Sequence, residues 1–164
     1  PWMRFAVKRV LKSDIQDKGI KPKVIYELGS GWGPLVVDAA KVFPEATVKG
    51  VEFSYLAAQF SKMRMKIWGL KNVEILRKDF FEQDLRDADV VILYMLEVIL
   101  ERLSPKFAKE LKPGTIIVSN TFVIKGWTPI ETHKIIKKPI PLNIYVYKIP
   151  ESLPAEHKAP QAES

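Results

Sequence analysis

The sequence predicts an α/β domain in which helices connect the strands of a mostly parallel sheet. Short apolar segments of strand length alternate with longer segments of helical periodicity, which is the pattern of parallel strands joined by helical crossovers. Residues 90–94 are almost wholly apolar, as expected of a strand covered on both faces. The chain has 164 residues, the length of one domain, so a single fold should carry the whole site.

The elements are expected in a regular order. A first helix should span residue 2 to about residue 12, where apolar residues recur on one face. Residues 131–149 alternate and are interrupted by prolines, which predicts a terminal antiparallel strand pair. The domain is expected to cover 1–149, and the polar, proline-bearing residues 150–164 to form a flexible tail. Strands are predicted near 24–28, 47–51, 73–76, 89–94 and 115–120, and helices near 34–43, 54–69 and 98–111.

The segment VIYELGSGWG at 24–33 predicts a cofactor pocket. An apolar strand runs into a carboxylate, Glu27, and then into glycines at alternate positions, where a ligand meets bare backbone. Pro34 follows at the first turn of the expected helix, where its missing N–H costs nothing. The spacing G-x-G-x-G differs from the G-x-G-x-x-G fingerprint of dinucleotide-binding folds. A turn made only for tight helix packing is the alternative.

This stretch resembles the E/D-x-G-x-G-x-G motif of class I S-adenosylmethionine (SAM) methyltransferases. The resemblance implies a Rossmann-like class I methyltransferase sheet, mostly parallel with a C-terminal antiparallel strand pair, and SAM as the cofactor. It implies that Glu27 holds the ammonium of the amino-acid end of SAM. The turn residues expected at the cofactor are Gly29, Ser30, Gly31 and Gly33.

Two later strand ends supply further candidate cofactor residues. Glu52 ends the second predicted strand about 20 residues beyond the glycine turn, where an acid binds ribose hydroxyls, and Phe53 is then placed to lie on the adenine face. The methyltransferase resemblance implies that Asp79 takes the adenine amino group and that the backbone of Phe80 contacts the ring. The alternatives are an acid beside a helix N-terminus for Glu52, a turn cap for Asp79 and ordinary core packing for Phe53.

A narrower resemblance rests on YMLE at 94–97, LKPGTIIVSN at 111–120 and TFVIKGWTP at 121–129. These segments resemble the small protein lysine methyltransferases related to ATP synthase c-subunit lysine methyltransferase and their archaeal relatives. The chain departs from that family in two places, since the family usually has Asp in place of Trp32 and Pro-Thr-Pro in place of residues 4–6. Both departures fall near the expected mouth of the cofactor site.

The resemblance implies methyl transfer to protein lysine side chains. Tyr94 and Trp127, with Trp2 as a further candidate, are expected to form an aromatic mouth that disfavours charge on the acceptor amine. Core packing is the alternative for each of these side chains. A small-molecule N- or O-methyltransferase and a noncatalytic SAM-binding module remain as other functions, because acceptor specificity does not lie in the cofactor motifs.

Composition limits the chemistry and the partners. The chain has no Cys and only two His, so we expect no thiol chemistry and no metal site. The net charge of +7 suggests an acidic or membrane-associated protein substrate, unless the basic residues only form a solvated face. Nucleic acid is not favoured, because YMLE at 94–97 replaces the N/D-P-P-Y loop of many methyltransferases that act on base or amide nitrogens.

The sequence predicts no transmembrane helix. Its longest apolar stretch, residues 90–100, is too short to cross a bilayer and contains Glu97. The chain starts at Pro1 and not at Met, so we expect that a segment preceding it has been removed. A cytoplasmic location is expected, with membrane association through the missing segment left open.

Overall fold

The computed structural model describes residues 2–136 and 142–157, apart from the side chains of Trp2, Met3 and Ile136. The N-terminal helix continues directly into a π-helical segment, Leu11–Gln16, and a short 3-10 helix, Ala155–His157, closes the described part. The helices are α1 (Trp2–Val10), α2 (Pro34–Val42), α3 (Tyr55–Ile67) and α4 (Glu97–Glu110). The strands are β1 (Val24–Leu28), β2 (Thr47–Glu52), β3 (Val73–Arg77), β4 (Val90–Leu93), β5 (Ile116–Asn120), β6 (Glu131–Ile136) and β7 (Leu142–Lys148).

The seven strands form one sheet in the order β3-β2-β1-β4-β5-β7-β6. Strands β1 to β5 pair in parallel, whereas β7 runs antiparallel to both β5 and β6. The predicted α/β architecture with a terminal antiparallel pair is therefore confirmed. The chain order reverses between β1 and β4, and ligands bind beside such a reversal at the carboxyl ends of the strands.

Most of the predicted bounds agree with the observed elements to within one or two residues. The first helix differs, because regular α-helix ends at Val10 and the chain goes on as π-helix to Gln16. This segment is fixed from both sides: the Asp14 carboxylate lies 2.7 Å from Nε2 of His133 on β6, and Gln16 donates to the carbonyl of Val42. These contacts explain why the helical segment extends to Gln16, beyond its predicted end near residue 12.

Helices cover both faces of the sheet and create two apolar clusters. The first cluster joins α1, α2 and α3 to the sheet, and the second joins α4 to the opposite face. The Arg4 guanidinium on α1 makes a two-pronged ion pair with the buried carboxylate of Asp38 on α2, which fixes α1 over the first cluster. None of the described helices has the length and apolar character needed to cross a bilayer.

The segment at 150–157, expected to begin a flexible tail, packs on the domain instead. Ser152 and Leu153 are buried, and Leu153 belongs to the second cluster. The Ser152 hydroxyl accepts a hydrogen bond from the Lys148 N–H, and its carbonyl accepts one from the Thr128 N–H. Composition could not predict this turn, because only one buried leucine and backbone hydrogen bonds hold it in an otherwise polar segment. Residues 158–164 lie outside the described part, and a tail there stays a prediction.

The packing of Leu153 makes a stability prediction. Leu153→Ala should lower the free energy of unfolding by about 2–5 kcal/mol, because Leu153 is only 6% exposed. Leu56→Ala is the matched control: its side chain is 73% exposed, so the change should stay within about 0.5 kcal/mol. Urea denaturation measures both. Equal small effects would mean that the segment does not pack as described.

Candidate active site

The candidate site lies along one edge of the sheet, where four neighbouring strands end. Glu27 is the penultimate residue of β1, and Glu52 is the last residue of β2. Asp79 follows β3 by two residues, and Tyr94 follows β4 directly. Because β3, β2, β1 and β4 are consecutive in a parallel arrangement, these ends share one edge. The sequence placed these residues at strand ends, and the topology puts the strands side by side.

Hydrogen bonds to β2 hold the glycine turn between β1 and α2. The N–H groups of Gly29 and Ser30 both donate to the carbonyl of Val51, at 2.8 and 3.0 Å. The N–H of Gly31 donates to Oε2 of Glu52 at 2.7 Å. The turn is therefore tied to the strand that carries the predicted ribose acceptor.

The three glycines of the turn all have positive φ, but their surroundings differ. A Cβ on Gly33 would lie 2.9 Å from the end of Met65 and 3.0 Å from the Ser61 hydroxyl, so Gly33 permits close packing of α3. A Cβ on Gly29 would lie 3.3 Å from the end of Met95. A Cβ on Gly31 would meet nothing within 4 Å. The packing alternative thus accounts for Gly33, whereas the space at Gly31 is open to a ligand.

Glu27 is a buried carboxyl group with an unsatisfied oxygen. The residue is 6% exposed, and its Oε2 has no hydrogen-bond partner within the described residues. Burial raises the pKa of Glu27 well above its ordinary value; the Val36 backbone hydrogen bond opposes this, and the nearby charges of Asp38 and Glu52 add to it. The buried Ser30 hydroxyl also lacks a partner among the described residues. Two unsatisfied polar atoms beside the glycine turn fit a cation with further donors and acceptors, such as an amino-acid group.

Glu52 makes structural hydrogen bonds and can accept further ones. Its Oε2 accepts from Gly31 and its Oε1 accepts from the Ser54 N–H, both at 2.7 Å. The Ser54 hydroxyl caps α3 by accepting from the Ala57 N–H at 3.5 Å. A carboxylate can accept more than these two bonds, so Glu52 can still take hydroxyl donors. The helix-terminus alternative and the ribose prediction are therefore compatible.

A pocket of about 280 Å³ lies beside the predicted adenine residues. Asp79 lines it, and its Oδ1 accepts from the Phe81 N–H at 2.9 Å, so the carboxylate also caps a turn. Phe80 packs against the second apolar cluster and against Phe81, with ring centroids 4.8 Å apart. Its side chain is thus committed to packing, whereas Phe53 is 72% exposed. The lining residues are Phe53, Arg77, Lys78, Asp79 and Glu82.

The two predicted acceptor-side aromatics differ in their surroundings. Tyr94 is 53% exposed at the end of β4 and is accessible to a substrate. Trp127 is buried in the second cluster, where its indole N–H donates to the Ser104 hydroxyl at 2.8 Å and its ring packs edge-on against Tyr147. The prediction of Trp127 as a mouth residue therefore disagrees with its position. Its bulk and single N–H suit a core site that offers one acceptor.

Sequence reasoning missed the contribution of α3 to the glycine turn. The Ser61 hydroxyl, which is fully buried, donates to the Gly31 carbonyl at 2.9 Å. The Arg64 guanidinium donates to the Trp32 carbonyl at 3.1 Å. Ser61 and Arg64 are three residues apart on a predicted helix, but nothing in their spacing identifies the turn as their partner. No group of three or more metal-ligating side chains occurs within 2–136 and 142–157.

A comparison with family models decides the relationship. The ANTKMT methyltransferase domain matches residues 27–131, which include both the glycine turn and the strand ends. The chain belongs to the ANTKMT methyltransferase family. The predicted methyltransferase resemblance and SAM as cofactor are thereby confirmed.

The chain is also similar to curated proteins. A protein-lysine N-methyltransferase of Saccharolobus islandicus (strain REY15A) is 36% identical over 129 residues, or 78% of this chain and 80% of the relative. An ATP synthase c-subunit lysine N-methyltransferase of Caenorhabditis elegans is 28% identical over 71% of this chain and 60% of the relative. Both alignments extend over most of this chain.

A solved structure has a similar fold. An RNA methyltransferase from Salinibacter ruber, crystallised with S-adenosyl-L-homocysteine, superposes with a TM-score of 0.78 and is 32% identical. The alignment covers 92% of this chain and 94% of that protein. The two proteins therefore share their fold over almost their whole lengths.

The open space at Gly31 predicts a loss of ligand binding without unfolding. Gly31→Ala should fold with a stability loss of about 1–2 kcal/mol, because Gly31 has a φ of +52°. It should bind SAM poorly, because the added methyl group enters the space proposed for the ligand. Calorimetric titration with SAM and thermal unfolding measure the two effects.

Gly69→Ala is the matched control for this substitution. Gly69 has a φ of +65°, and a Cβ there would also meet nothing within 4 Å. It follows α3, which runs from the site edge of the sheet to the opposite edge. The backbone penalty should be similar and SAM binding unchanged. Equal SAM affinity in the two variants would contradict the ligand space at Gly31.

The raised pKa of Glu27 predicts opposite effects on stability and binding. An acid with a raised folded-state pKa loses stability as pH rises above its unfolded value, so Glu27→Gln should stabilise the free protein at neutral pH and have less effect at low pH. The same variant should bind SAM more weakly, because the neutral amide cannot pair with an ammonium. Denaturation at several pH values and calorimetry measure these effects. Glu45→Gln, an exposed site, is the control, and matching effects there would contradict the assignment.

Proposed function

We propose that the protein transfers a methyl group from SAM to the ε-amine of lysine side chains in a protein substrate. The observation that best supports this proposal is the 36% identity to a protein-lysine N-methyltransferase over 78% of this chain and 80% of that relative. The exposed Tyr94 beside the end of β1 provides an accessible acceptor side.

The cofactor roles follow from the fit of the described groups. Glu27, with its unsatisfied oxygen, is proposed to pair with the ammonium of the amino-acid end, and Ser30 to hydrogen-bond the same end. Glu52 is proposed to accept the ribose hydroxyls. Asp79, with Phe53 and the backbone of Phe80, is proposed to hold the adenine in the pocket of about 280 Å³. Bound SAM supplies an electrophilic methyl group on a sulfonium.

On the acceptor side, the chain needs to position and desolvate a lysine amine. A lysine ammonium cannot attack, so an environment that disfavours its charge favours the reactive neutral form. Tyr94 and Leu96 are both exposed and adjacent to the end of β4, so a substrate segment that covers them would bring its amine into less polar surroundings. The ammonium can release its proton to water, so a dedicated base is unnecessary. Trp127 is proposed to act through packing and not through contact with the acceptor.

The partner is proposed to be an acidic or membrane-associated protein. The net charge of +7 favours attraction to negatively charged surfaces. An acidic protein and a protein at an anionic membrane both offer the negative charge that a basic surface attracts. The distribution of the basic residues over the surface is the feature that distinguishes them.

RNA methylation is a second candidate function. The Salinibacter ruber protein, 32% identical over 92% of this chain, is described as an RNA methyltransferase, and a basic chain is suited to nucleic acid. The sequence after β4, YMLE at 94–97, does not provide the N/D-P-P-Y loop that presents a nitrogen acceptor in many base methyltransferases. We therefore place lysine ahead of RNA.

A labelling experiment separates these functions. The protein is incubated with methyl-labelled SAM and a cell extract, after which separate samples are treated with protease or nuclease. Lysine methylation requires label that protease releases, mass spectrometry that assigns it to lysine, and incorporation that rises with pH as the amine loses its proton. Label confined to nuclease-sensitive material would favour RNA, and label confined to small metabolites a small-molecule methyltransferase. Activity should persist with a chelator, because no metal is proposed.

Tyr94 and Trp127 should respond differently to substitution. Tyr94→Ala should lower turnover and leave SAM affinity and stability nearly unchanged, because Tyr94 is exposed on the proposed acceptor side. Trp127→Phe should lower stability by about 1 kcal/mol or more, because the hydrogen bond from the buried indole to the Ser104 hydroxyl is lost. Its turnover per folded molecule should be unchanged. Steady-state kinetics, calorimetry and thermal unfolding are the measurements, and full turnover in Tyr94→Ala would contradict its role.

A further inference from the structure

We propose that the exposed face of α3 docks on an anionic lipid surface and brings the glycine turn to that surface. The face consists of Leu56, Phe60, Met63 and Ile67 together with Trp32 of the turn, and we call it the α3 stripe. The proposal rests on the proposed function only where it names the substrate class, lysines at the membrane surface.

The spacing of the α3 residues forms one continuous line along the helix. Leu56, Phe60, Met63 and Ile67 follow one another at intervals of four, three and four residues. At about 100° per residue they fall within roughly 60° of arc. Leu56 and Ile67 are 73% and 72% exposed. A stripe this ordered is the apolar face of an amphipathic helix and not a scatter of single exposed residues.

The domain's own core cannot account for this stripe. A different side of α3 packs against the sheet through Ala57, Ala58, Ser61 and Met65, which are all buried. These residues are mostly small, so the helix lies close to the sheet without needing its larger apolar residues. The large side chains therefore point away from the core and remain available to an external surface.

Basic residues border the stripe on both sides. On the helical wheel, Lys62 and Lys66 lie beyond one edge and Arg64 beyond the other, with the Arg64 guanidinium 5.4 Å from the Phe60 ring centroid. Helix α3, residues Tyr55–Ile67, contains no acidic residue. An apolar face edged by cations is typical of helices that lie in the headgroup region of anionic membranes.

Charge and shape favour lipid over the other occupants. A second copy of this chain would bring Lys62, Arg64 and Lys66 against the same cations, which like-charge repulsion opposes. A peptide helix would need a groove, whereas exposed side chains in line on a single helix form a convex ridge. A bilayer can accommodate such a ridge, because the side chains can insert between the lipid headgroups.

The stripe is physically connected to the candidate site. Trp32 packs edge-on against Phe60 with 4.9 Å between ring centroids, and its carbonyl accepts from Arg64. Ser61, on the same helix, holds the Gly31 carbonyl. Docking of the stripe would therefore set the glycine turn near the headgroups. Lysines that snorkel to this level would be the acceptors within reach.

Vesicle sedimentation tests the proposal. The protein is mixed with vesicles of equal parts phosphatidylcholine and phosphatidylglycerol, or of phosphatidylcholine alone. Sedimentation should require phosphatidylglycerol and weaken with salt. The triple variant Leu56→Gln, Met63→Gln and Ile67→Gln should bind at least about tenfold more weakly, because it loses the apolar contribution to insertion. These side chains are at least half exposed, so the variant should fold, and unchanged thermal unfolding and SAM affinity verify this.

Matched controls distinguish binding through the α3 stripe from nonspecific hydrophobic adsorption and from the effect of overall charge. Val98→Gln removes an apolar side chain that is 59% exposed on α4, on the other face of the sheet, and should bind vesicles as the parent does. Lys66→Glu should weaken binding severalfold, whereas Lys109→Glu on α4, with the same charge change, should have a smaller effect.

Several results would overturn the proposal. These are no sedimentation of the parent, equal sedimentation of the parent and the triple variant, and light scattering that shows a dimer which the triple variant abolishes. Capture of the parent by an acidic protein through the stripe, without vesicle binding, would also overturn it. Vesicle binding is measured without methyl transfer, so a failure to methylate lysine would reject the proposed function and leave the docking result intact.

Discussion

The candidate site depends on keeping an incompletely paired carboxyl group at the end of a buried strand. Glu27 lies between neighbouring strands and behind a glycine turn, so water is largely excluded from it. Burial there disfavours its charged form, and the free protein retains this penalty. A residue of this kind is expected where a cationic ligand completes the pairing. Binding of the ligand then offsets the free-energy cost of burying the carboxylate.

The glycine turn and α3 surround the Glu27 carboxyl group, and the glycines of the turn have two separate functions. Gly33 lets α3 approach the turn, whereas Gly31 leaves space open and donates its N–H to Glu52. Ser61 then holds the Gly31 carbonyl from the other side. The N–H and the carbonyl of Gly31 are thus both hydrogen-bonded before any ligand binds, which fixes the turn. Such preorganisation limits the ordering that binding must impose.

The sequence predicted the sheet and the strand ends that share one edge well because local patterns determine them. Apolar runs identify parallel strands, and an acid before alternating glycines identifies the turn after β1. Trp127 and Leu153 could not be placed in this way, because their burial depends on elements distant in the chain. The role of Ser61 was missed for the same reason, since its partner lies 30 residues away. Sequence patterns give strand ends, but long-range packing decides which side chains face a ligand.

The most direct test of the role of Glu27 is a carboxyl ¹³C NMR titration of this residue, assigned with Glu27→Gln, in the free protein and with saturating SAM. We expect a pKa well above that of an ordinary glutamate in the free protein, because the carboxyl is buried and incompletely paired. The pKa of Glu27 should fall when SAM binds, because a cation then stabilises the carboxylate. An ordinary pKa in the free protein, or a raised pKa that SAM leaves unchanged, would contradict the pairing of Glu27 with the cofactor.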